Sequence, residues 1–176
     1  YQVNPERIVL GGGSAGGHLA LLAAYAPCHP LLTPLDVEGR DLSVRAVVSY
    51  YGPTDLRAVY EHTHQKRNFG SLPKVEIGLP GSAEMKKDVM RDAGRLDTLL
   101  GGNLDEVPEV YELASPVAHV RAGCPPTLLI QGTLDRFTPV AAARELHHRS
   151  DECGVPAVNI IYPLTSHAFD LLMPQV

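Results

Sequence analysis

Short apolar runs alternate along this chain with stretches of helical spacing. Residues 6–12 read as the first strand, in which Ile8, Val9 and Leu10 are expected to be buried, and Ala15 to Ala26 follows as a small, apolar, proline-free helical segment. A second run, Val44 to Tyr51, predicts another strand over 44–51. Later come a strand at 126–131, a helix at 139–152, a strand at 157–162 and a short helix from about 168. Such β–α alternation predicts an α/β fold, a mostly parallel sheet covered by helices.

Between 53 and 108 the pattern dissolves into a long irregular stretch, broken by Gly70, Pro73, Gly78, Pro80 and Gly81, with Met85 to Leu100 as a helical run inside it. A stretch of this length over the carboxyl edge of a sheet reads as a lid-like insertion or as a plain surface excursion. Neither a repeat nor a linker interrupts residues 1–176, so one domain is expected.

The first strand–helix junction carries candidate chemistry. Gly12-Gly13-Ser14-Ala15-Gly16 spells G-x-S-x-G, the pattern of a nucleophile elbow. A tight turn there lifts a serine hydroxyl to the tip of the sheet, and the N–H groups of the following helix favour developing negative charge. Gly11-Gly12-Gly13-Ser14-Ala15-Gly16 equally fits G-x-G-x-x-G, the dinucleotide-binding fingerprint. That alternative needs an acidic residue at the end of the next strand. Here Asp36 and Glu38 precede the strand, which ends in Tyr-Tyr-Gly.

A serine nucleophile requires a base, and the base an orienting acid. Asp135 follows the strand Pro126 to Gln131 and a glycine turn, with Thr138 expected to cap the next helix and Pro139 to be its first residue. His167 lies in the loop after the strand Val158 to Tyr162. In a parallel sheet, residues just beyond strand carboxyl ends converge on one crevice, so Ser14, Asp135 and His167 are expected to meet. Each has a plainer interpretation: helix cap for Ser14, turn residue for Asp135, helix start for His167. His18, one helical turn past Ser14, reads as structural, and Asp55 as a helix cap.

With these residues in view, the chain resembles the α/β-hydrolase superfamily, and within it the carboxylesterases related to hormone-sensitive lipase and feruloyl-esterase-like hydrolases. The resembling pieces are Gly11 to Ala20, Tyr51 to Leu56, Leu99 to Gly102, Ala114 to Val117, Gln131 to Pro139 and Ser166 to Asp170. The resemblance implies Ser14 as nucleophile, His167 as general base and acid, Asp135 as the carboxylate holding the imidazole, and the Ala15 N–H as an oxyanion donor. It also implies a small-molecule ester substrate and no metal or organic cofactor. Family members draw a further oxyanion donor from an upstream loop, often His-Gly-Gly-Gly. Only thirteen residues precede Ser14 and none forms such a loop, so the expectation is the C-terminal half of a longer α/β-hydrolase. The strand at 6–12 would then be a sheet edge, open to self-association.

Composition adds exclusions. A net charge of −5 argues against a nucleic-acid or anionic-membrane partner, and no apolar run is long enough for a membrane-spanning helix. Cys28, Cys124 and Cys153 lack paired spacing and read as reduced thiols, which points to a cytoplasmic location. His62, His64, His147 and His148 have no carboxylate or thiol at metal-ligand spacing and read as solvated.

Overall fold

The computed structural model describes residue 4, residues 7–68 and residues 96–172. Strand β1 (Val9–Gly13) leads through Ser14 into helix α1 (Ala15–Tyr25), and β2 (Ala46–Tyr50) into helix α2 (Leu56–Asn68). Two short helices follow, α3 (Leu96–Leu100) and α4 (Pro108–Leu113). The chain ends in β3 (Thr127–Gly132), α5 (Val140–Glu152), β4 (Ala157–Tyr162) and α6 (Phe169–Leu172).

The strands form one four-stranded sheet in the order β1-β2-β3-β4, parallel throughout. Among the described residues β1 therefore lies at one edge, as the sequence predicted, and β4 at the other. Parallel pairing places all four carboxyl ends along a single border.

Helix α1 is apolar around most of its circumference and packs on the sheet beside α5. Leu21, Ala24 and Tyr25 of α1 join Val47 of β2, Leu129 of β3 and Ala143 and Leu146 of α5 in one buried cluster. Burying a leucine such as Leu21 fully stabilises the fold by about 1.5–3 kcal/mol. The Tyr25 hydroxyl reaches across to Thr127 Oγ1 at 2.7 Å, so the one polar atom at the foot of α1 is satisfied inside the core. Alternation along the strands sends Val158, Ile160 and Tyr162 to the opposite face, where all three are exposed.

Three expectations need correction. Residues 56–68 are not irregular but helical, because Asp55 Oδ1 accepts the Arg57 and Ala58 N–H groups and Ser115 Oγ accepts that of Leu56. Thr138 does not cap α5: that helix starts at Val140 after an extended Pro139, and the Thr138 side chain is used elsewhere. Of the helix expected at Met85 to Leu100, only 96–100 falls within the described residues and is helical. The remainder, with residues 69–95 of the lid-like insertion, lies outside them.

Candidate active site

Every group in the candidate site comes from the carboxyl border of the sheet. Ser14 follows β1 with φ 54° and ψ −123°, a conformation that costs a non-glycine residue about 1–3 kcal/mol and persists only where its surroundings enforce it. Its N–H donates to the Tyr50 carbonyl at 2.9 Å, which pins the turn to the end of β2. The first residue of the motif must be small: a Cβ on Gly12 would sit 2.5 Å from the Gly16 carbonyl carbon. Ser14 makes no side-chain cap to α1, so the plain helix-cap reading does not hold.

Its hydroxyl turns instead to His167. Ser14 Oγ lies 2.8 Å from His167 Nε2, and His167 Nδ1 lies 2.7 Å from Asp135 Oδ2. A carboxylate only accepts, so Asp135 fixes the tautomer: Nδ1 carries the proton and Nε2 is left to accept from serine. The three residues converge as the sequence predicted.

Asp135 is both a turn residue and the imidazole's partner. Its Oδ1 accepts the Phe137 and Thr138 N–H groups at 2.8 and 2.9 Å. Its Oδ2 accepts from the Gln131 amide at 2.9 Å, the Thr138 hydroxyl at 2.7 Å and His167. Burial alone would push the carboxyl up, but the hydrogen bond and charge of His167, with the bonds from Thr138, outweigh it and hold the group below its ordinary range. The carboxylate is thus ionised and fully hydrogen-bonded inside the protein.

The imidazole is also held at its edges by aromatic rings. Tyr51 lies 4.7 Å away and Phe137 5.0 Å, both T-shaped. Gln131, Tyr51 and Phe137 were not singled out in the sequence. Gln131 had a visible signal, a polar residue closing the otherwise apolar strand Thr127 to Ile130.

Ala15 is the first residue of α1, so its N–H has no acceptor within the helix and lies beside Ser14. His18 does not join the site: its Nδ1 donates to the Pro53 carbonyl at 2.9 Å, tying α1 to the turn after β2. Burial lowers its pKa despite that bond, which keeps the ring neutral. His64 is likewise occupied, with Nδ1 2.8 Å from the Tyr60 carbonyl. His148 faces Glu152 on the exposed side of α5. The three cysteines are free thiols. As for a dinucleotide, β2 ends in Tyr50 and not in the acidic residue that would hold a ribose.

An imidazole bonded to a serine hydroxyl on one side and to a buried carboxylate on the other is built to take the serine proton. The BD-FAE family model matches residues 1–149 of the chain. The chain belongs to this family. It is 32% identical to the probable carboxylic ester hydrolase LipM of Mycobacterium tuberculosis, over 98% of this chain and 34% of that protein. Esterase LipQ of the same organism is 31% identical over 97% of this chain and 35% of its own length. The chain therefore spans about one third of the length of the curated relatives it matches. Among solved structures, Thermogutta terrifontis esterase 2 phosphonylated by sarin superposes with a TM-score of 0.60 at 23% identity, over 92% of this chain and 48% of that one. That likeness shows the α/β-hydrolase fold of this BD-FAE chain.

Proposed function

We propose that the protein is a serine hydrolase of carboxylic esters that works through an acyl-enzyme on Ser14. One observation carries this: the unbroken relay from Asp135 Oδ2 through the His167 ring to Ser14 Oγ. The names of the relatives LipM and LipQ, an ester hydrolase and an esterase, support the ester class. So does the phosphonylation of the Thermogutta esterase by sarin, the behaviour of an activated nucleophile.

In this mechanism Ser14 Oγ attacks the ester carbonyl carbon while its proton passes to His167 Nε2. The carbonyl π pair moves onto oxygen, and the Ala15 N–H and the amino end of α1 stabilise that charge. The pair returns, the carbon–alkoxy bond breaks, and the imidazolium protonates the departing alcohol. Water then attacks the acyl-serine, giving its proton to Nε2. Ser14 leaves with that proton and the acid is released. Asp135 stays ionised throughout and stabilises the imidazolium. The substrate in this reading is a small-molecule ester, and the open edge of β1 is where a second copy of the chain would pair.

An alkyl phosphonate bearing a good leaving group tests the proposal. Intact mass followed by peptide mapping should place one adduct on Ser14, absent from Ser14→Ala. Labelling of a different serine with Ser14 untouched would end it.

A further inference from the structure

We propose that Tyr51 is a positioning residue for this relay, a strut that holds the His167 loop through its hydrogen bond to Asp170. The inference rests on the hydrolase reading for its consequence in turnover, but its geometry stands independently. Tyr51 follows β2, between the strand ends that carry Ser14 and Asp135, and its side chain is buried. Its hydroxyl donates to Asp170 Oδ1 at 2.5 Å, 119 residues on, and its ring meets those of His167 and Phe169 edge-on at 4.7 and 5.5 Å.

The strut touches every arm of the site. A Cβ on Gly13, the residue before the serine, would come within 2.8 Å of the Tyr51 hydroxyl oxygen. The Tyr51 carbonyl faces the hydroxyl of Thr138, which itself bonds Asp135. Its N–H donates to the Ile130 carbonyl at 2.7 Å, locking the residue to β3.

Backbone strain separates this from ordinary packing. Tyr51 is held at φ 42°, and the His167 loop contains Leu164 at φ 54° and Ala168 at φ 58°. Side chains other than glycine persist there only when several contacts over-determine them. The loop therefore needs a restraint near His167, and Asp170, at the start of α6, supplies the acceptor. Burial, with the Asp170 bond and charge, pushes the Tyr51 phenol far above its ordinary range, so it remains a donor.

Tyr51→Phe keeps the ring contacts and removes only the strut, and Asp170→Asn weakens it from the other end. Two readings are taken on the full chain: the saturable phosphonylation of Ser14, split into its limiting rate and half-saturation, and solvent exchange of the His167 Nδ1 proton by NMR. In Tyr51→Phe the limiting rate should fall about 10-fold to 100-fold at unchanged half-saturation, as expected when a reacting group is displaced. The Nδ1 proton should exchange faster, and Asp170→Asn should show the same changes without adding to them in the double variant. Unaltered rate and exchange in Tyr51→Phe, or a loss of thermal stability alone, would overturn the strut. Should the parent chain take no label at Ser14 while the exchange still quickens in Tyr51→Phe, the hydrolase reading falls and the strut stands.

Discussion

Gly132 and Thr165 are in backbone contact: a Cβ added to Gly132 would lie 2.2 Å from the Thr165 carbonyl oxygen. Gly132 closes β3 and Thr165 belongs to the loop that carries His167, so this contact sets the distance between the aspartate turn and the histidine loop. The neighbouring bonds reinforce it, with the Leu134 N–H on the Thr165 carbonyl at 2.9 Å and the Leu164 N–H on Thr133 Oγ1 at 2.8 Å.

Gly132→Ala must therefore push the two loops apart, since backbone rather than a pliable side chain is in the way. Overpacking of this kind costs about 1–3 kcal/mol. A displacement near 1 Å at the reacting groups costs about 100-fold in rate. Urea unfolding and the rate of Ser14 phosphonylation measure the two effects. A variant that keeps the parent rate would show that the contact does not set the geometry of the relay.

Asp135 makes a pH-dependent contribution to stability whose sign follows from its environment. Its carboxyl is held below the ordinary value of 3.8 in the fold, mainly by His167 and Thr138 acting against burial. The native state thus binds that proton less readily than the unfolded chain. The resulting stabilisation is fully present above the unfolded pKa, about 3.9, and is lost as pH falls through the lower folded value. Asp135→Asn should be less stable than the parent near neutrality, with the gap closing on acidification. Denaturant titrations across that range test this, and a gap that widens toward acid would reverse the assigned sign. Turnover by the same variant should drop by about 10⁴, because the asparagine no longer enforces the required tautomer.

The Thr138 hydroxyl has a role that its methyl group cannot replace. It donates to Asp135 Oδ2 at 2.7 Å inside the protein and accepts from the Gln131 amide at 2.9 Å. Thr138→Val preserves shape and leaves both partners short of a bond, a loss of about 1–3 kcal/mol. Thr138→Ser should recover most of it. Thermal denaturation of the pair of variants decides the matter: a loss in Thr138→Ser with none in Thr138→Val would mean that the methyl, not the hydroxyl, matters.

What the sequence made legible was whatever is encoded locally. β1, β3 and β4 are apolar runs bounded by turns, and Ser14, Asp135 and His167 each stand just past a strand end, so pattern alone brought them to one border. Helix α2 escaped because Leu56, Val59 and Tyr60 give little more than one turn of apolar spacing before the polar run from Glu61 to Asn68. Its start is secured by Ser115, 59 residues away, which no local pattern announces. Thr138 misled for a related reason. Threonine before Pro139 is a good helix cap by composition, but the nearby Asp135 carboxylate is a stronger acceptor for its hydroxyl than a helix end is a donor. Tyr51 and Asp170 meet only through the tertiary fold.

β1 leaves a row of backbone groups available at the sheet border. Among the described residues it pairs with β2 alone, and apolar side chains on or next to β1, Ile8 and Val9, are exposed rather than buried as expected, as is Leu19 on α1 exposed, at 63%. An open strand edge flanked by apolar side chains templates pairing with another strand. α1 adds to this, since a helix apolar around most of its circumference gains by covering its last exposed stripe. The expected outcome is concentration-dependent self-association of the chain in sedimentation velocity. Val9→Lys should suppress it by placing a charge where a second strand would dock. Leu35→Lys provides the control, because Leu35 is even more exposed yet lies in a short helical turn away from the sheet. Equal suppression by both substitutions would assign the association to general hydrophobicity rather than to the edge. A parent chain that sediments as a monomer at every concentration would show that the edge of β1 is not sticky at all.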